Sequence, residues 1–200
     1  MKDMDNNVKQ KKKITVYDLV VVGLMAAICF VVTYFIKIPI TTPVGPTMIK
    51  VANAFCLLAG ILFGGWRGGL AAGIGSAFYD VLDPLYITSA PITLIRFFLM
   101  AFLCGWIAHA NGRQGKNFGI NIIAAAVGSV FSTFFYIVES IIKQLLLGAS
   151  IPVAVTAVVP KMITSGINMI IAIVLAVILA PLFRTGLEQA GVYRQLAHKK

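Results

Sequence analysis

Charged residues are scarce in this chain, and acidic residues are the scarcest of them. Asp and Glu together number 7 in 200 residues, against 17 Lys and Arg, and charged residues make up 12% of the chain. A soluble domain carries about twice that share of charge. The 59% hydrophobic content and a mean hydropathy of +0.91 therefore indicate a polytopic membrane protein. Because the apolar runs are long and do not alternate with polar residues, they predict an all-α membrane protein and not a β-barrel.

Histidine and cysteine are also scarce, which limits the chemistry. The two histidines, His109 and His198, lie at or beyond the ends of apolar segments, so a histidine-based catalyst inside the membrane is not expected. The three cysteines, Cys29, Cys56 and Cys104, lie within apolar segments and lack a C-x-x-C spacing. We interpret them as reduced, buried thiols, with neither a disulfide framework nor a metal site. No cofactor is predicted.

Motifs for hydrolysis are missing. The chain contains no GxxxxGK[ST] loop for nucleotide phosphates and no GxSxG. The stretch "GIGSAFYD" places Ser76 four residues before Asp80, but no histidine is available there as a base, so Ser76 is interpreted as a packing residue. We therefore do not expect an enzyme. Uphill transport would draw its energy from a partner or an ion gradient, and the lack of an internal repeat gives no support to an inverted-repeat transporter.

Six apolar segments predict six transmembrane helices. The first is long enough to cross a bilayer and has no A-x-A cleavage site after it, so we expect a retained span and not a signal peptide. Two intervening segments, "KIPITTPVGPTM" and "GASIPVAVTAVVP", contain prolines and are predicted to be loops. The predicted spans are residues 14–36, 49–64, 68–82, 91–109, 119–147 and 161–183.

The distribution of basic residues predicts that both termini are cytoplasmic. Residues 1–13 form a basic segment and residues 184–200 a polar tail, on the same side as the loops that contain Arg67 and Arg113. This arrangement puts twelve of the 17 Lys and Arg inside. Topology explains the positive charge better than nucleic-acid binding does, and no nucleic acid is expected. The other five cations lie near the opposite ends of the spans: Lys37, Lys50, Arg96, Lys143 and Lys161.

Polar side chains recur at helical spacing near those opposite ends. Tyr136, Glu139 and Lys143 share one stripe of the fifth span, and Glu139 with Lys143 is an i,i+4 pair in the favourable order. The sixth span carries a similar stripe: Lys161, Ser165 and Asn168.

These polar groups permit two interpretations. Ionisable residues inside a membrane are costly, so they either face a cavity and each other or extend towards the headgroups. We favour a pocket for Arg96, Glu139 and Asn168, because polar groups this deep need partners. For Lys37 and Lys161 we favour snorkelling to the outer headgroups. The aromatic residues of the outer half fit either an interfacial belt or a stacking surface for a flat ligand.

Small residues give close-packing faces on two spans. Gly69, Gly73 and Ala77 form such a face on the third span, where internal packing is a sufficient explanation. Gly23 and Ala27 form another on the first span. That face fits internal packing and docking of another protein equally well.

The segment from residue 49 to residue 107 carries a recognisable pattern of small residues, an aspartate and a proline: Phe63, Gly64, Gly68, Gly75, Ser76, Ala77, Asp80, Pro91 and Thr93. With this pattern the segment resembles the membrane-embedded S components of energy-coupling factor (ECF) type ABC importers. It is most similar to the branch grouped with the riboflavin-type S components. The sequence departs from that branch at Asn53, where an acidic residue is common. The family's first span carries an A-x-x-x-A motif that contacts the coupling protein, and Gly23 and Ala27 occupy those positions here.

The resemblance implies a six-helix domain over residues 14–183 in the cell membrane of a prokaryote. Such a protein binds a water-soluble vitamin or precursor in an outer-side pocket, beneath the loop between spans one and two. It then associates with a transmembrane coupling protein and two ATPase subunits. The partner-docking residues would be Gly23 and Ala27. The ligand-binding residues would be Asn53, Asp80, Tyr86, Thr93, Arg96, Phe97, Tyr136, Glu139, Lys143 and Asn168.

The resemblance leaves the ligand open. The branch suggests riboflavin, whereas the charges and tyrosines suit a smaller ring such as pyridoxine or hydroxymethylpyrimidine. Two other function classes remain as alternatives: a small secondary transporter driven by an ion gradient, and a membrane scaffold in which the polar stripes merely hold helices together.

Overall fold

The computed structural model describes residues 15–42 and 45–197. The predicted basic segment, residues 1–13, lies outside this part of the chain. The described residues form seven α-helices and one two-stranded antiparallel hairpin. In chain order these are α1 (Val16–Phe35), β1 (Lys37–Thr42), β2 (Gly45–Lys50), α2 (Ala52–Phe63), α3 (Gly65–Leu82), α4 (Ala90–His109), α5 (Phe118–Leu146), α6 (Ile151–Gln189) and α7 (Val192–Ala197).

The segment between α1 and α2 is a β-hairpin. Its proline content excludes a helix, as predicted, since proline has no N–H and blocks the preceding turn. The strands pair from Lys37 with Lys50 to Thr42 with Gly45. The Thr42 hydroxyl donates to the Gly45 carbonyl oxygen at 2.5 Å. A loop was expected here, and the structure shows instead an ordered cross-strand ladder that lies over one end of the helices.

The short helix α2 forms the centre of the molecule and contacts all the longer helices. Leu57, Leu58 and Ile61 are fully buried on it. The helix ends at Gly64, which has φ of 82°, a left-handed conformation that glycine adopts at little cost. Helix α3 begins at the next residue. Helix α4 comes close at this corner, because a Cβ on Gly105 would lie 2.5 Å from the Gly65 nitrogen.

Four segments are long and apolar enough to cross a membrane: Val16–Phe35, Ile87–Gly112, Phe118–Leu146 and Ile151–Gln189. Helix α2 has 12 residues, about 18 Å, against roughly 30 Å of hydrocarbon. The chain is therefore a multi-pass membrane protein, and a full count of six spans stays a prediction. Spans two to five were predicted within three residues of the observed helix ends.

The sixth helix is much longer than predicted. The stretch "IPVAVTAVVP", expected to be loop, is the first part of α6, which runs for 39 residues and contains Pro160 and Pro181. Proline is compatible with the first turn of a helix, and Pro152 lies there. Inside the helix, the Thr164 hydroxyl donates to the Pro160 carbonyl oxygen at 2.9 Å, and Thr185 donates likewise to Pro181 at 3.0 Å.

The described part of the polar tail after residue 183 is helical and packed. Helix α6 continues to Gln189, and α7 follows after Gly191. Leu187, Val192 and Leu196 pack against the hydrophobic core. The Tyr193 ring lies 6.3 Å from that of Phe63. The predicted boundary at 183 thus falls inside a continuous helix.

Candidate functional site

A polar cavity of about 240 Å³ lies under the hairpin. Its walls come from β2, the start of α2, the end of α3, the start of α4, the second half of α5 and α6. All ten residues predicted to bind a ligand line this cavity: Asn53, Asp80, Tyr86, Thr93, Arg96, Phe97, Tyr136, Glu139, Lys143 and Asn168. The structure therefore brings together residues that span more than half of the chain.

An ionic network crosses the cavity between α4 and α5. The Glu139 carboxylate lies 2.6 Å from the Lys143 ammonium and 3.8 Å from the Arg96 guanidinium. Lys143 also donates to the Ser89 hydroxyl at 2.9 Å. The predicted i,i+4 pair of Glu139 and Lys143 is present, and Arg96 also faces Glu139. Arg96 lies in the pocket wall and does not extend to the headgroups.

Two aromatic rings connect three cations along the cavity. The Lys50 ammonium lies 4.6 Å from the Phe97 centroid and the Arg96 guanidinium carbon 4.9 Å from it. That carbon is also 4.6 Å from the Tyr136 centroid, and the Lys161 ammonium is 5.5 Å from the same ring. Ring faces attract cations, although more weakly than carboxylates do.

Two buried polar atoms at the cavity lack a hydrogen-bond partner within residues 15–42 and 45–197: Asn53 Oδ1 and Arg96 Nε. One is an acceptor and the other a donor. Buried polar atoms in native proteins are nearly always paired. Their convergence on one cavity is the arrangement that a polar ligand would complete.

The hairpin is held over the cavity by side chains from α5 and α6. Asn168 accepts from the Lys50 backbone N–H at 2.9 Å and donates to the Met48 carbonyl oxygen at 2.8 Å. The Tyr136 hydroxyl donates to the Thr47 hydroxyl at 3.2 Å. Asn168 on α6 therefore pairs two backbone groups of β2, in addition to lining the cavity.

A second contact holds the base of the hairpin to the end of α3. Lys37 donates to the Tyr79 hydroxyl and lies 3.6 Å from the Asp83 carboxylate. Tyr79 in turn donates to Asp83 at 2.6 Å. Partial burial raises the pKa of Asp83, but the hydrogen bonds from Tyr79 and Leu85 and the charge of Lys37 outweigh it, so the net pKa lies below its usual value. Lys37 is thus an anchor of the hairpin and not simply a snorkelling residue.

Several cavity residues were missed or misinterpreted. The prediction that Lys161 snorkels is wrong, because Lys161 is only 7% exposed and lines the cavity beside Tyr136. The lining serines and threonines gave little signal, because a hydroxyl in a helix can bond to its own backbone. The i±3 and i±4 spacing from Tyr136 would have found three of them: Ser132, Thr133 and Ser140. The missed lining residues include Thr47, Met48, Lys50, Ser89, Ser132, Thr133, Ser140 and Ser165.

The two small-residue faces differ in surroundings. On α3, a Cβ at Gly73 would lie 2.8 Å from the Leu94 carbonyl oxygen, so internal packing explains that face. On α1, Gly23 and Ala27 are exposed, and a Cβ at Gly23 would meet no atom of the described residues within 4 Å. Among residues 15–42 and 45–197, no internal contact therefore requires a small residue at Gly23.

The described residues contain no cluster of His, Cys, Asp or Glu suited to a metal ion. Cys29, Cys56 and Cys104 are buried and unbridged. Ser76 is buried and contacts Cys56, with 3.6 Å between Oγ and Sγ. This agrees with the interpretation of Ser76 as a packing residue.

Comparison with known proteins agrees with the resemblance seen in the motifs. The chain is similar to a protein of Pyrococcus woesei described as an uncharacterised protein in gap 3'region, with 27% identity over 107 residues, 54% of this chain and 67% of the relative. Residues 13–185 match the family described as "ECF-type riboflavin transporter, S component". That match covers most of the chain, including every wall of the cavity. The chain belongs to the family of ECF transporter S components.

Proposed function

We propose that this chain captures a water-soluble vitamin or vitamin precursor at the outer face of a prokaryotic cell membrane, for ATP-driven uptake. The observation that carries the proposal is the polar cavity beneath the hairpin, with Asn53 Oδ1 and Arg96 Nε unpartnered within the described residues. The cavity is at the end of the helices that the basic-residue distribution predicts to be outside.

Size supports a small ring as the ligand. Pockets for drug-sized ligands measure about 300–1,000 Å³, and this cavity measures about 240 Å³. A single ring of the pyridoxine or hydroxymethylpyrimidine type suits that volume better than the three fused rings and side chain of riboflavin. Riboflavin remains the second candidate, suggested by the family description.

Uptake would require partners, because the chain has no nucleotide-binding loop. The family implies a transmembrane coupling protein and two ATPase subunits. The exposed Gly23 and Ala27 face of α1 supports docking there, because close approach of two membrane helices requires small residues at the contact. The hairpin would act as the lid that opens for the ligand and closes over it.

Reconstitution tests this function. The purified chain is placed in proteoliposomes with and without the coupling protein and ATPases of its own organism, and uptake from a mixture of labelled vitamins is measured. Uptake that requires both the partners and internal ATP supports the proposal. Uptake by the chain alone, abolished by an ionophore, would establish the gradient-driven transporter, and neither binding nor uptake would favour the scaffold.

A further inference from the structure

The charges that line the cavity do not balance. Two carboxylates face four cations, which leaves a formal excess of two positive charges. The charged lining residues are Lys50, Arg96, Lys143, Lys161, Asp80 and Glu139. In a membrane protein such an excess is costly, because the surroundings supply little water or counter-charge.

Two of the lysines have no carboxylate in direct contact, although Asp80 acts on Lys50 and Glu139 acts on Lys161 at longer range. The Glu139 carboxylate forms ion pairs with Lys143 at 2.6 Å and with Arg96 at 3.8 Å. Within the part of the chain that the structure describes, neither Lys50 nor Lys161 forms an ion pair. Both are largely buried, at 8% and 7% exposure. A buried ammonium without a carboxylate partner is strongly destabilising unless another anion compensates it.

These two lysines flank Arg96 on one wall. Lys50 and Arg96 contact the Phe97 ring, and Arg96 and Lys161 contact the Tyr136 ring. The three cations are therefore neighbours, and the Nε of the central one is buried without an acceptor among the described residues. An oxyanion bound beside Arg96 would accept hydrogen bonds from its guanidinium and would be attracted by the ammonium groups of both lysines.

We propose that the ligand of this cavity is an anion: a small heterocycle with a carboxylate or phosphate group held by Lys50, Arg96 and Lys161. This inference rests on the proposed function and narrows its ligand class. A neutral ring of the same shape would leave the excess of two positive charges in the cavity, so the site selects the charged form over the neutral one.

Binding of matched compounds to the purified wild-type protein tests the inference. Calorimetric titrations compare nicotinamide with nicotinate, pyridoxine with pyridoxine phosphate, and riboflavin with riboflavin phosphate, together with mass spectrometry of any ligand that co-purifies. We expect the anionic member of a bound pair to bind at least tenfold tighter. Preference in the first pair identifies a carboxylate, and preference in the others a phosphate.

Equal or tighter binding of the neutral member, or a neutral co-purified ligand, would overturn the inference and leave the proposed function intact. An empty protein that binds none of the compounds would instead overturn the proposed function, and the inference with it. The two failures are therefore distinguishable.

Two lysine variants test whether Lys161 causes the preference for the anionic compound. Lys161→Met keeps the side-chain length and removes one cation, so we expect the anion to lose at least fivefold in affinity and its neutral counterpart to stay unchanged. Lys116→Met is the control, since Lys116 is exposed and does not line the cavity. Equal losses for both compounds in Lys161→Met would make Lys161 a structural residue and contradict the assignment.

Discussion

Asn168 joins the hairpin to α6, and its replacement by leucine tests whether the hairpin covers the bound ligand. Leucine has a similar size but cannot accept from the Lys50 N–H or donate to the Met48 carbonyl, which Asn168 contacts at 2.9 and 2.8 Å. Asn168→Leu therefore leaves two backbone groups at a buried contact without partners. The volume of the helix contact changes little, so the variant acts mainly on hydrogen bonding.

The magnitude follows from those two groups. Each buried polar group that loses its partner costs about 1–3 kcal/mol, so the closed hairpin is destabilised by roughly 2–6 kcal/mol. About 1.4 kcal/mol corresponds to a factor of ten. Because a ligand in the cavity requires the hairpin in place, the lower limit corresponds to a loss of affinity of up to about 30-fold.

Calorimetry of ligand binding and hydrogen exchange of the hairpin amides measure the effect. The matched control is Asn121→Leu: Asn121 is also buried, but it donates to the Gly115 carbonyl oxygen at 2.8 Å, away from the cavity. We expect the control to lower the melting temperature without changing affinity. Wild-type affinity together with unchanged hairpin exchange in Asn168→Leu would refute the role of the hairpin as a lid.

Three further predictions concern Arg96, Ala27 and Asp83. Arg96→Ala should weaken ligand binding by tenfold or more while membrane insertion stays normal, and unchanged affinity in the purified variant would mean that Arg96 does not hold the ligand. Ala27→Trp should block uptake in the reconstituted system but leave binding intact, whereas loss of both would indicate misfolding. The pKa of Asp83 lies below its usual value. At pH values above the carboxyl's ordinary pKa of about 3.9, Asp83 is charged and its contact with Lys37 stabilises the hairpin. That stabilisation is lost as the pH falls through the lower pKa of Asp83 in the folded protein. The protection factors of the hairpin amides, which are corrected for the intrinsic pH dependence of exchange, should therefore fall below about pH 4 in the wild type, and an identical pH profile in Asp83→Asn would contradict this.

Helix positions and the polar wall were predictable because both have local signals. Apolar runs bounded by glycine, proline or polar turns placed α2 to α5 closely. Arg96, Glu139 and Asn168 were recognisable because a polar group deep in an apolar segment needs a partner. These residues lie near the same end of their spans, so the packed helices bring them together in one cavity.

The features that were not predictable depend on tertiary contacts. The hairpin exists because β1 and β2 pair and because Asn168, distant in sequence, completes the hydrogen bonding of β2. The first part of α6 was taken for a loop because of its prolines. Pro152 lies in the first turn, where its missing N–H costs no helical hydrogen bond, and Pro160 lies inside the continuous helix.

Lys161 shows the same limit for the site. A lysine near the end of an apolar segment has the same sequence pattern whether it extends to the headgroups or turns into a cavity. In the structure, α6 begins at Ile151, on the N-terminal side of Pro160, so Lys161 lies in the helix interior and not at a helix end. That position distinguishes a lysine in the cavity from a lysine that extends to the headgroups.

Mass spectrometry of the small molecules released from the detergent-purified protein shows directly whether the cavity holds a vitamin. We expect one heterocyclic vitamin or precursor in stoichiometric amount, retained by the wild type and by Asn121→Leu and lost from Asn168→Leu. A protein that is empty as purified, and that stays empty after incubation with a mixture of vitamins, would contradict it.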